Sequence, residues 1–162
     1  MKALLLSLLL LLAGCGVDLP QAVPNGSPAP AFTAHTLDGR TLAFPDDFKG
    51  KVVALRFWAD WCPYCGPEMR DLEPVYRRLK ARGLEVVAVN AGQGPEAVAK
   101  FLRKTPVSYP VVLDREVKAV GLYGVIGLPH TYLIDRNGVV RGRIVGEATA
   151  EVFERQVLAL LQ

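Results

Sequence analysis

Residues 51–58, KVVALRFW, carry a single charged side chain between their ends, Arg56. A run of this kind, preceded by Gly50, predicts a strand buried on both faces. Such a strand needs cover above and below, which places helices on both sides of a sheet. Three residues later come Cys62-Pro63-Tyr64-Cys65, and then Met69, Leu72, Val75, Tyr76 and Leu79 at helical spacing up to about Arg82. A cysteine pair therefore stands between a central strand and the mouth of a helix. Gly83 suits the C-cap.

The rest of the chain repeats the alternation. Phe32–Phe44 holds two short strand-like pieces around Asp38-Gly39, a hairpin signal. Leu84–Asn90 reads as a second buried strand. Pro95–Lys104 reads as a helix, Tyr109–Leu113 as a strand and Glu116–Tyr123 as a short helix. Thr131–Asp135, Asn137-Gly138 and Val139–Val145 form a hairpin, and Ala150–Leu161 a closing amphipathic helix. The order ββ, then β-α-β-α-β-α-β-β-α, predicts an α/β fold with a mixed central sheet.

The N-terminus reads separately. Lys2 precedes an apolar run, Ala3–Ala13, too short to span a bilayer as a helix. It matches a secretory signal. Leu12-Ala13-Gly14-Cys15 resembles a bacterial lipobox, in which the cysteine is lipidated and becomes the mature N-terminus. Gly16 to Ala31 carries four prolines and reads as a semi-extended tether. The expected division is 1–14 signal peptide, 15–31 lipidated cysteine and tether, and 32–162 a single domain. A compartment outside the cytoplasm permits disulfides. The net charge of +3 is spread without basic patches or interleaved aromatics, which argues against nucleic acid as a partner.

With Cys15 lipidated, Cys62 and Cys65 are the remaining thiols. A c-type haem site needs His after the second cysteine, where Gly66 stands. A structural zinc site needs four ligands, and His35 and His130 are distant and unpaired in sequence. A bridge closing so small a loop stabilises little. Reactivity explains the pair better. A thiolate at a helix N-terminus is stabilised by free N–H groups and the helix dipole. This assigns Cys62, the outer thiol, as nucleophile and Cys65 as the resolving thiol in thiol–disulfide exchange through a mixed disulfide.

FWADWCPYC and GLPHTYLIDRNGVV, in that order, resemble the two motifs of ResA/TlpA-like thiol–disulfide oxidoreductases of the thioredoxin fold. The resemblance covers about Ala31 to Gln162. It implies that Gly92–Asp114 is an inserted helix–strand element. It also implies that Pro129 is cis and that Leu128 presents its backbone to an incoming chain. The groove implied is formed by Trp61, Pro63, Tyr64, Leu128, Pro129 and His130, with His130 and Tyr64 on its rim. Glu68 matches a glutamate implicated in proton handling near the second thiol. Stabilising the helix dipole is an equally good account of it. The implied clients are oxidised proteins such as apocytochrome c, with electrons from a membrane thiol transporter. No cofactor or metal beyond the redox-active disulfide is expected, and a monomer is expected.

Three departures stand out. Arg56 occupies a position where the family places Asp or Asn. Either it pairs, with Glu68 the first candidate, or it points outward. The Pro63-Tyr64 dipeptide resembles that of glutaredoxins and leaves the redox potential open. The family's kinking proline is replaced by Arg70, while prolines appear at 67 and 74. If the helix starts at Pro63, each of these removes a backbone bond and two irregularities are expected. The alternative functions are a disulfide-introducing oxidase, a thiol peroxidase and a copper-handling module. The peroxidase lacks its hydroxyl three residues before Cys62, where Ala59 stands. The copper module lacks a further downstream His.

Overall fold

In the computed structural model, which describes residues 21–162, the apolar run becomes β3, Val52–Trp58, with every residue buried. It lies inside a seven-stranded sheet of order β2-β1-β5-β4-β3-β6-β7. The other strands are β1 (Phe32–Thr36), β2 (Thr41–Phe44), β4 (Leu84–Ala91), β5 (Val111–Asp114), β6 (His130–Ile134) and β7 (Val140–Val145). The helices are α1 (Cys65–Leu79), α2 (Pro95–Lys104), α3 (Lys118–Leu122) and α4 (Ala150–Leu160). The element order is the one the alternation predicts. β3, β4 and β5 run parallel, and all other pairings are antiparallel, so the sheet is mixed.

Two cores cover the sheet. Val52, Ala54 and Trp58 of β3 point to the face that packs α1, α2 and α4. Val53, Leu55 and Phe57 point to the other face, which packs α3, the N-terminal hairpin and Val23 and Ala29. This alternation is why β3 carries no regular polar positions: both of its faces are interior.

The expected signal segment and Cys15 lie outside the described residues. The described part of the expected tether, residues 21–31, does not stand free. Pro28 bridges to Val139. Tyr123 donates its hydroxyl to the Pro30 carbonyl at 2.8 Å, and the Val23 N–H donates to the Tyr132 hydroxyl at 3.3 Å. Gly124, at φ +61°, lies so close to Gln21 that a side chain there would collide with its carbonyl. Proline content signals an extended backbone, but an extended backbone can also dock, and here two buried tyrosines supply the partners.

The active-site helix also differs from expectation. It starts at Cys65, not Pro63. Pro67 is thereby its third residue, where the N–H has no intrahelical partner in any case, so no irregularity follows. Pro74 is the one proline in the helix interior. The α-helix ends at Leu79 and a 3-10 turn, Lys80–Arg82, carries the chain to Gly83 at φ +99°, the left-handed cap.

Candidate active site

The three residues after β3 turn the chain into Cys62, whose N–H donates to the Ala59 carbonyl at 3.3 Å. Cys62 and Cys65 form a disulfide with Cα atoms 5.4 Å apart. Both are nearly enclosed. Cys62 retains 3% of its surface and Cys65 none. The outer position of Cys62 is thus a matter of a small opening rather than of open exposure. Their neighbours Trp61 and Tyr64 are 68% and 52% exposed. Pro63 is exposed as well.

β6 pairs with β3 so that His130 faces Phe57. Leu128 and Pro129 immediately precede it, at the end of β3 from which the cysteine turn departs. The Leu128–Pro129 bond is cis. Pro129 is buried and Leu128 half-buried. Ile126, two residues earlier, is 83% exposed and had no signal in the sequence, since a lone isoleucine in a loop fits no periodic pattern.

Arg56 does not point outward. It shares the face of Ala54 and Trp58, beneath α1, and is 1% exposed. Its Nη1 donates to Glu68 Oε1 at 2.8 Å and to Thr131 Oγ1 at 3.1 Å. Nη2 stands 2.7 Å from Glu68 Oε2, an ion-pair contact rather than an aligned hydrogen bond. Glu68 is one helical turn beyond Cys65 and is itself buried. Each charge is the other's counterion in a site that would otherwise exclude both. For Glu68 to take a proton from Cys65 it would have to give up part of this clamp.

His130 is not on the rim. Its parity on β6 turns it to the face of Phe57 and Tyr132, where it is buried and stacked on the Tyr132 ring at 4.9 Å. Among the described residues neither ring nitrogen has a hydrogen-bond partner. Burial pushes its pKa down to about 4, helped by the Arg143 charge. In the unfolded chain a histidine titrates near 6.5. Its contribution to stability is therefore complete above about pH 6.5 and drains away as the pH falls towards 4. Chemical denaturation at pH 7 and pH 4.5 checks this. Wild type should lose on the order of 2 kcal/mol more than His130→Phe does over that interval.

Nothing in the sequence pattern marks Gln93, which reaches the cysteine turn, or Asn90, which supports Gln93. The Asp60 N–H donates to Gln93 Oε1 at 2.8 Å, and Asn90 Nδ2 donates to the same oxygen at 3.0 Å. A polar residue such as Gln93 in the loop after a strand is the norm, and only the folded chain brings this loop beside the turn.

A dithiol that presents one sulfur at a helix mouth and holds the second behind it performs thiol–disulfide exchange. On this sheet topology that is the chemistry of thioredoxin-fold oxidoreductases. The chain belongs to the AhpC/TSA family, whose model matches residues 25–143. It is 40% identical to the thiol-disulfide oxidoreductase ResA of Geobacillus thermodenitrificans, over 93% of this chain and 90% of that protein. It is 36% identical to ResA of Bacillus subtilis, over 82% and 74%. Among solved structures it superposes on a protein described as the thiol:disulfide interchange protein DsbE from Chlorobium tepidum. The TM-score is 0.82 at 36% identity, covering 87% of this chain and 100% of that one. The protein is a thiol–disulfide oxidoreductase of the ResA/DsbE type.

Proposed function

We propose that this oxidoreductase works as a reductase of protein disulfides outside the cytoplasm, held at a membrane by lipid on Cys15. Its clients are oxidised proteins such as apocytochrome c, and a membrane thiol transporter returns it to the dithiol form. Among the described residues no helix is long and apolar enough to cross a membrane. The anchoring rests on Leu12-Ala13-Gly14-Cys15 at the end of an apolar segment.

One observation carries the direction of exchange: the helix mouth is poor in groups that stabilise a thiolate. Strong oxidants owe their potential to a stabilised reduced form. Here the Cys65 N–H already donates to the Cys62 carbonyl at 3.2 Å. Pro67 has no N–H to offer at the third helical position. That leaves the Gly66 N–H as the free donor of the first three. His130 is buried, with its pKa too low to supply a positive charge at neutral pH. A thiolate supported this weakly yields electrons readily.

In the reaction, the Cys62 thiolate attacks a client disulfide. The client S–S bond breaks, a Cys62–client mixed disulfide forms and one client sulfur leaves as thiolate. Cys65, deprotonated, attacks Cys62 and displaces the second client sulfur. Two electrons pass to the client, whose thiolates take up two protons, and the Cys62–Cys65 disulfide closes. Glu68 either receives the Cys65 proton or serves only as Arg56's counterion.

Equilibration against glutathione tests the direction. The reductase reading expects a potential near that of thioredoxin, about −270 mV, or lower. A value near about −120 mV, that of a strong oxidant, overturns it in favour of the oxidase. The peroxidase reading finds no support at Ala59, which is buried and carries no hydroxyl.

A further inference from the structure

The turn that delivers Cys62 is not held by β3 alone. Asp60, two residues before the cysteine, is gripped at two points by Gln93 from the loop after β4. Its N–H donates to Gln93 Oε1 at 2.8 Å. Its carboxylate Oδ1 accepts from Gln93 Nε2. One side-chain amide thus closes a ring with both the main chain and the side chain of Asp60.

Gln93 is itself fixed in place. Asn90 is fully buried at the end of β4, paired with Trp58 of β3. It donates from Nδ2 to Gln93 Oε1 at 3.0 Å and accepts the Gln93 N–H on Oδ1 at 3.2 Å. Gly92 bends the chain at φ +78°, a left-handed conformation a side chain resists. Gly94 and Pro95 then open α2 directly after Gln93. The amide is therefore presented by a strand end on one side and a helix start on the other.

The helix that follows Gln93 reaches the motif at a second place. Phe101 of α2 packs on Trp58 with ring centroids 4.7 Å apart. A Cβ on Gly66 would lie 3.3 Å from the Phe101 ring. Gln93 thus holds the chain just before Cys62, and Phe101 just after Cys65. The β4–α2 loop carries the first contact and α2 the second, and both lie outside the strand–cysteine–helix unit.

We infer that Gln93 is a positioning residue for the Cys62 nucleophile. Through Asp60 it fixes the turn that sets how the Cys62 sulfur meets the helix mouth and an incoming disulfide. The inference rests on the exchange chemistry of the Cys62/Cys65 pair and not on its direction. Asp60 is exposed and Gln93 half-buried, so the tie can be cut while the sheet stands. In-line attack on a disulfide depends on alignment, and a misplaced nucleophile loses rate out of proportion to its displacement.

The test is the rate at which iodoacetamide alkylates Cys62 in the reduced protein, read by mass spectrometry at a temperature where each variant is folded. Gln93→Ala removes the tie. Gln93→Glu sets a carboxylate against that of Asp60 and removes the donor. Each should slow alkylation about tenfold. Adding Asp60→Asn to Gln93→Glu exchanges the amide and the carboxylate between the two positions. The side-chain bond reforms with its direction reversed, and the N–H groups of residues 60 and 93 keep their acceptors. This pair should recover the wild-type rate to within about twofold. Because each variant is read while folded, a residue that only stabilised the fold would leave this rate unchanged in the single variants. The inference is overturned if the exchanged pair stays as slow as Gln93→Glu, if neither single change slows alkylation, or if the rate lost only tracks folded protein lost. If wild type alkylates first on Cys65, the nucleophile assignment fails instead, and this is seen before any variant is compared.

Discussion

Cys65→Ala should arrest exchange at the mixed disulfide and leave clients covalently held on Cys62. The reason is the unequal enclosure of the pair. Cys62 has the one small opening to solvent, beside exposed Trp61 and Tyr64, whereas Cys65 has none. A client can form the first bond without Cys65, but its release requires a thiolate behind Cys62. Multiple-turnover reduction of insulin should fall about a thousandfold or more, while the adduct accumulates in one turnover. Cys62→Ala should lose activity equally but trap nothing, because the remaining sulfur is sealed. Peptide mapping of the adducts decides the matter. Adducts on Cys65 in the Cys62→Ala protein, with none on Cys62 in the Cys65→Ala protein, would reverse the assignment of the two thiols.

The second large effect falls on stability. Glu68→Leu would leave the Arg56 guanidinium 1% exposed, with no counterion and only the Thr131 hydroxyl as partner among the described residues. Breaking a buried pair from one side costs about 3–5 kcal/mol. Changing both residues, Arg56→Met with Glu68→Leu, removes both desolvated charges, and most of that loss should return. Guanidinium denaturation of the two singles and the double measures the coupling. Near-additive losses would mean the two charges act independently. The double variant also separates stability from chemistry. It lacks the Glu68 carboxylate in a folded protein, so the rate at which Cys65 resolves a preformed mixed disulfide reports whether that carboxylate handles the proton. An unchanged rate confines Glu68 to the role of counterion.

Arg56 shows how far the sequence could be followed. Its burial follows from lying inside a strand with two interior faces, but a strand that ends near a motif can also twist a residue outward. The partner could be named from spacing, because Glu68 falls on the turn of α1 above β3. Only the packing of α1 on the sheet brings the two within 2.8 Å. His130 went the other way. Its place beside Pro129 suggested the rim, yet strand parity turned it to the face of Phe57 and Tyr132. The expected strand starts at Thr131 and leaves His130 in the loop, whereas β6 includes His130, which then shares the face of Tyr132 two residues on. Pro67 likewise changed meaning with the helix start. Two residues later, it moved from the ladder to the first turn, where a missing N–H costs no helical bond.

The sequence by itself determined the alternation of strands and helices, the buried central strand and the redox pair at the helix mouth. Hydrophobic period and turn residues are local, and the cysteine spacing is covalent, so each is complete within a short window. The tertiary structure alone decided the docking of residues 21–31, the Arg56–Glu68 clamp, the burial of His130 and the grip of Gln93 on Asp60. The Arg56–Glu68 contact joins residues 12 positions apart and the Val23–Tyr132 contact residues 109 apart. Their energies depend on desolvation and orientation, which exist only once both cores have closed around the sheet.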